Sequence, residues 1–379
     1  MTIELVLTNA RIVLEDTIVQ GSVQVRDGLI TDISEGSTRI GEDLEGDYLL
    51  PGLVELHTDH LETHFSPRAG LKWNAIAAIQ AHDTQIAGSG ITTVLDCLRM
   101  GSGEEGGFAR GEMRQLADSI EQAGREGRLR SQHLLHLRCE VSTSDVVDQF
   151  SDFDDDPAVR LVSLMDHAPG QRQFQTMEQY IFYYKIKRGL SDEAFAAFVE
   201  RRLEASARYS KPHRDALASR CAEREISLAS HDDATLDHVD ESIGHGVRLA
   251  EFPTSVAAAE ASHKAGLSVL MGAPNVVRGQ SHSGNIAASD LARLGVLDVL
   301  SSDYVPFSIL HAPFILADEI DTVSLPQAIA MVTATPARTI GLDDRGRIAA
   351  GLRADLVRVH RDNGVPVCRS VWREGSRVA

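Results

Sequence analysis

The chain has 379 residues, 43% hydrophobic and 24% charged, with a formal net charge of −18. That length accommodates a barrel of roughly 250 residues plus a smaller domain, and the acidic balance argues against nonspecific binding to nucleic acid or to an anionic membrane, both of which favour basic surfaces. No apolar run approaches the ~18 residues of a membrane span, and Met1-Thr2-Ile3-Glu4 has no basic region leading into an apolar segment, so a cytoplasmic protein is expected.

Residues 2–50 alternate in short apolar bursts, Ile3–Leu7, Ala10–Leu14, Gly21–Val25 and Leu29–Ile33, with Asp27-Gly28 as a two-residue hairpin turn. Similar bursts recur at Gly346–Ile348, Ala354–Val359 and Ser370–Gly375. The economical reading is one small β-sandwich domain built from both ends, residues 1–50 with 341–379. From 51 to 340, strand-like runs alternate with helical patterns, the signature of βα units and a parallel sheet. Eight runs are predicted strands: Leu53–His57, Thr92–Asp96, Leu134–Glu140, Val159–Asp166, Ile226–His231, Val247–Phe252, Leu267–Gly272 and Val299–Asp303. The fold class is therefore α/β, a (β/α)8 TIM-like barrel. Helical spacing is expected around Ala75, Ile76, Ile79 and Ile86, and at Phe195, Phe198, Val199 and Leu203 after the cap Ser191. The segment near 170–225 exceeds one crossover helix, and is expected to be a lid or the interface of a homo-oligomer. Cys97, Cys139, Cys221 and Cys368 are widely spaced without a Cys-x-x-Cys pair, and read as reduced thiols.

Polar residues then fall in a pattern. Predicted strand one ends in His57-x-Asp59, strand three in Glu140, strand four in Asp166-His167, strand five in His231-Asp232-Asp233 and strand eight in Asp303. A single strand-end His or Asp is ordinarily the start of a loop, but five such ends on the face where barrel chemistry collects point to metal ligation. His57 and Asp59 are two apart on an extended chain and share one side of it. Two divalent metals bridged by Glu140 and a hydroxide would use His57, Asp59, Glu140, His167, His231 and Asp303, and imidazole with carboxylate suits zinc, manganese or iron better than calcium. His60 and His64 read as surface residues or spare ligands, the former favoured, and His245, placed before its strand, points away.

On the phrases Leu50-Pro51-Gly52-Leu53-Val54-Glu55-Leu56-His57 and Gly351-Leu352-Arg353-Ala354-Asp355-Leu356-Val357, the sequence resembles the amidohydrolase superfamily. Glu55–Asp59, Ala87–Asp96, His136–Glu140, Leu161–His167, Pro169–Phe174, Leu228–Thr235, Ala250–Thr254 and Met271–Gly279 bring the resemblance to one branch, the ribose methylphosphonate triphosphate diphosphatases of the carbon–phosphorus lyase pathway. The resemblance implies metal-dependent release of pyrophosphate from a phosphorylated sugar. The wider superfamily carries His-x-His where this chain has His57-x-Asp59.

A triphosphate brings about four negative charges, which a chain this acidic repels unless cations line its site. Arg68, Lys72, Arg99, Arg172 and Arg278 fall just past predicted strand ends or in the loops there, and Ser281 and His282 add a hydroxyl and a ring nitrogen in a Gly-containing loop. Arg172 and Arg278 are the foremost candidates. Asp303 is expected to take the proton of the attacking water and pass it to the leaving pyrophosphate. Two alternatives carry less: hydrolysis of a cyclic amide or ring deamination, which needs fewer cations, and a metal-free binding scaffold, which needs no ligand set.

Overall fold

The computed structural model describes residues 4–68, 70–101, 111–172, 180–186, 189–280, 286–362 and 364–379. The alternating N-terminal pattern forms β1 (Glu4–Val13), β2 (Ile18–Arg26) and β3 (Leu29–Glu35), followed by β4 (Glu42–Asp43) and β5 (Tyr48–Pro51). The first two bursts are one strand, bulged between Leu7 and Ala10 where Asn9 takes φ +54°. Asp27 and Gly28 both have positive φ, +50° and +82°, the geometry that lets a two-residue turn follow the twist of its strands.

Eight parallel strands come next: β6 (Leu53–Thr58), β7 (Ile91–Met100), β8 (Gln132–Glu140), β9 (Val159–Met165), β10 (Ser227–His231), β11 (Leu249–Glu251), β12 (Ser268–Gly272) and β13 (Val299–Ser301). They pair in chain order, β6 through β13, and a parallel bridge between Thr58 and Asp303 joins the last strand to the first. This is the expected TIM-like barrel. Every residue of β6 and of β10 is buried, as strands covered on both faces require.

The C-terminus adds β14 (Leu356–His360), β15 (Val367–Arg373) and β16 (Ser376–Arg377), giving a second sheet in the order β16-β15-β14-β5-β1-β2-β3, with β4 beside β1. Both chain ends meet in it. The start of β3 turns back onto the approach to β14, where Ile30 N donates to Leu352 O at 2.9 Å and Gly351 N to Ile30 O at 2.8 Å. Leu7, Ile12, Val23, Val25, Ile30, Leu49, Leu356 and Trp372 pack as its core. The burst predicted at Gly346–Ile348 is not a strand; Ile348 instead inserts into this core.

By compactness the chain divides into two units, Met1–Asp96 with Ser119–Leu134 and Met271–Ala379, and Cys97–Asp118 with Leu135–Leu270. In the first, Gly52 carries the chain from β5 to β6. A Cβ there would lie 2.2 Å from Thr92 Oγ1 and 2.9 Å from Asp355 Cβ, so Gly52→Ala is expected to destabilise the protein by about 1–3 kcal/mol through overpacking, read as a lowered urea midpoint.

In the second unit a 32-residue helix, Asp192–Glu223, starts at Ser191, whose side chain accepts from Ala194 N at 3.1 Å. Phe195 and Phe198 are buried as expected, but Leu203 is 44% exposed. The buried stripe continues instead through Arg202, Ser206, Ser210 and Arg214, spaced three or four apart on one helical face. Among the described residues no helix is long and apolar enough to cross a membrane.

Candidate metal centre and active site

In the first unit, the end of β6 is tied to the chain leaving β13 by backbone bonds that place three predicted ligands together. Asp303 N donates to His57 O at 3.1 Å, and Asp59 N to Asp303 O at 3.0 Å. Beneath them lies Glu55, absent from the sequence prediction. Its fully buried carboxylate accepts from His57 N at 2.7 Å and from Ser302 N at 2.6 Å, so one side chain sets the spacing of both strand ends. Burial pushes Glu55 up to about 7. Asp303 has φ +52°, and in the second unit Asp232 (+58°) and Phe252 (+51°), just past β10 and β11, share that left-handed backbone. Non-glycine residues pay to adopt it, and such residues cluster at functional sites.

The second unit holds the other three predicted ligands. Glu140 Oε2 accepts from His167 Nδ1 at 2.7 Å, and Oε1 accepts from Ser142 Oγ at 2.5 Å, from His167 N at 3.1 Å and from Arg202 Nη2 at 3.3 Å. Burial alone would raise Glu140, but His167 and Arg202 reverse this and hold it at about 2. His231 Nδ1 lies 2.8 Å from Asp232 Oδ2, which is 3.9 Å from His167 Nε2. Donor atoms of His167, His231 and Asp232 converge closely enough to hold one ion. A carboxylate on Nδ1 leaves the other imidazole nitrogen of His231 as a donor to a metal.

The long helix supplies partners that the sequence did not announce. Arg202 reaches Glu140, and Ser206 Oγ and Ser210 Oγ donate to Asp166 Oδ2 at 2.9 and 2.6 Å. The signal was present as buried-stripe spacing, but charged and hydroxyl residues at that spacing ordinarily read as a solvated face.

The candidate phosphate ligands separate. Arg172 is only 3% exposed, and its guanidinium is enclosed by Asp233 and Glu241, to both of which it donates. Burial and nearby Arg214 push its pKa down to about 10. Two acids from its own unit thus pair with its charge and hold it in place. Arg172→Met should destabilise the fold by about 3 kcal/mol or more, since Asp233 and Glu241 would keep their charges without a partner; urea unfolding reads this directly. Arg68, Lys72 and Arg278 are exposed. Arg278 ends a short helix whose C-terminus is closed by Gly279 at φ +75°. Ser281 and His282 lie outside the described residues.

A second histidine group follows β6. Helix α1 (His60–Phe65) carries His60 and His64, and α2 (Ala75–Gly88) carries His82. Both α1 histidines are half-buried rather than surface residues. His82 is fully buried, and its Nε2 donates to Asp96 Oδ1 at 2.8 Å. The other oxygen of Asp96 is 2.7 Å from His133 Nδ1, whose ring in turn faces Asp83 at 3.3 Å. His245, at 2.9 Å from Asp215, takes no part in either group.

These features have known counterparts. The amidohydrolase family model matches residues 190–378. The α-D-ribose 1-methylphosphonate 5-triphosphate diphosphatase of Escherichia coli K12 is 48% identical over 378 residues, covering 99% of this chain and 100% of that one. Among solved structures, an amidohydrolase superposes with TM-score 0.65 at 14% identity over 99% of this chain and 98% of that one. The N-acetyl-D-glucosamine-6-phosphate deacetylase of Mycobacterium smegmatis does so with TM-score 0.64 at 16% identity over 99% of each, and these two likenesses bear on the fold alone. Full-length identity to the diphosphatase, the barrel and the His and carboxylate groups at its strand ends agree: this chain is an enzyme of the amidohydrolase family.

Proposed function

We propose that this enzyme hydrolyses α-D-ribose 1-methylphosphonate 5-triphosphate to the 5-phosphate and pyrophosphate, a step in phosphonate catabolism in the cytoplasm. The observation that carries this reading is the 48% identity spanning nearly the whole of both chains. The donor set fits a divalent cofactor, because donor atoms of His167, His231 and Asp232 lie within reach of one ion at strand ends of the second unit, and His57 is a buried imidazole near the end of β6 in the first. We assign His57, Asp59, Glu140, His167, His231 and Asp303 as ligands of two divalent ions, zinc first, with manganese or iron as alternatives. When bound, such ions neutralise phosphoryl charge and make hydroxide available near neutral pH.

The side chains supply the rest. Asp303 takes the proton of the attacking water at its carboxylate and returns it to the departing pyrophosphate oxygen. Glu55 holds the β6 and β13 ends in register so that His57 and Asp303 keep their places. Arg172, Arg278, Lys72 and Arg68, with Ser281 and His282, bind the phosphate chain, and the pairing of Arg172 with Asp233 and Glu241 fixes its place after β9. Residues 51–340 form the catalytic barrel domain in this reading, and 1–50 with 341–379 its β-sandwich flank. Four free cysteines, three of them buried, suit a reducing compartment.

Phosphorus NMR of the metal-loaded enzyme with the ribose triphosphate tests the proposal. Stoichiometric pyrophosphate, abolished by chelation and restored by zinc or manganese, is the expected result. A metal-loaded enzyme that leaves the triphosphate intact refutes it.

A further inference from the structure

The His60, His64 and His82 group has no part in the reaction just described, and its geometry asks for a cation. Asp96 accepts from His82 Nε2, so that Nδ1 is the ring atom turned to a further partner, and it faces His60 Nδ1 at 3.5 Å. This is long for a hydrogen bond between two nitrogens, which falls near 3.0 Å. It is close to the edge of a tetrahedron around zinc, about 3.3 Å for Zn–N bonds of about 2.05 Å. His64 stands one helical turn beyond His60, with ring centroids 4.9 Å apart, and its Nε2 is shielded from solvent without a hydrogen-bond partner among the described residues. One nitrogen from each ring lies within 4.8 Å of the other two. The fully buried Asp96, itself fixed by His133, backs His82 as a carboxylate backs a metal-bound histidine.

We propose that His60, His64 and His82 form a separate binding site for a borderline divalent transition metal of the zinc, cobalt or nickel class, with a water completing the coordination. Three imidazole ligands select against magnesium and calcium, which take oxygen ligands. The ion clamps α1 to α2. Because α1 begins one residue after Asp59, filling the site also stiffens the chain leaving β6.

The test is metal stoichiometry on untagged protein, by equilibrium dialysis against zinc followed by elemental analysis. Wild type should retain one more zinc per chain than the double variant His60→Asn/His64→Gln. The same one-equivalent difference should persist when both are built on a His57→Ala/His231→Ala background, which separates this site from the proposed catalytic ligands. Far-UV circular dichroism in chelator establishes that the variants are folded. His64→Gln alone, at a half-buried position, provides a milder variant and should weaken zinc retention at least tenfold. An unchanged zinc count and unchanged retention in these variants would overturn the proposal.

Discussion

Asp303→Asn is expected to lower pyrophosphate release by about 10²- to 10⁴-fold while leaving the protein folded, the range over which a positioned general acid or base accelerates a reaction. The backbone at Asp303 makes this substitution informative. Asp303 has φ +52°, a region that Asn tolerates as well as any residue other than Gly. Its main-chain bonds, N to His57 O and O from Asp59 N, do not involve the side chain and survive the change. What is lost is a carboxylate that accepts a proton, replaced by an amide of the same shape that does not. Phosphorus NMR measures turnover, and elemental analysis alongside it reports metal retention. Turnover within about threefold of wild type would remove Asp303 from the proton-transfer role.

The second large effect falls on stability. Asp96 is fully buried and accepts from His82 Nε2 at 2.8 Å and His133 Nδ1 at 2.7 Å. Replacing it with Asn leaves the charged His133 facing a neutral amide, and breaking a buried pair in this way costs about 3–5 kcal/mol. Burial opposes the charged form of His133, but Asp96 and Asp83 overcome this and raise it from 6.5 to about 9. A folded-state value above the unfolded one means the contribution is complete below about 6.5 and disappears as pH rises through 9. Asp96 is displaced the other way, its pKa held below its ordinary 3.8 by the two histidines against the pull of burial, so its contribution is present above 3.8 and fades in acid. Wild-type stability, measured by urea unfolding in chelator, should therefore fall by about 3 kcal/mol between pH 6 and 10. Asp96→Asn should start lower and show a flatter alkaline limb. An equally steep decline in the variant would place the alkaline loss elsewhere.

How far the sequence could be read depended on whether a feature is local. The eight barrel strands were legible because a strand buried on both faces must be a short β-branched and apolar run, and Leu53–Thr58 and Ser268–Gly272 carry that pattern within themselves. Asp27-Gly28 and Ser191 declared a turn and a cap for the same reason, since φ preference and a hydroxyl three residues from a free N–H are properties of adjacent residues. The strand-end histidines and carboxylates followed from the strands, because in a barrel their chemistry collects at the C-terminal ends.

Arg172 shows where that reasoning stopped. A polar loop after a strand does not announce the acid partners of its arginine, and only the fold brought Asp233 and Glu241, more than sixty residues on, against Arg172. The stripe from Arg202 to Arg214 carries no apolar signal, and its partners Glu140, Asp166 and Glu241 are set against it only by the fold. Glu55 looked like one more strand residue, yet tertiary packing buried its charge and gave it two backbone donors. His60 and His64 were surface residues in one dimension, and His82 on a neighbouring helix made them a cluster. The strands, the fold class and the strand ends where histidines and carboxylates gather were legible in the sequence, because periodicity and turn chemistry act over a few residues. The tertiary structure decided which charges are neutralised and which remain for a ligand, because the partner of a buried charge comes from a distant part of the chain and desolvation makes that pairing obligatory.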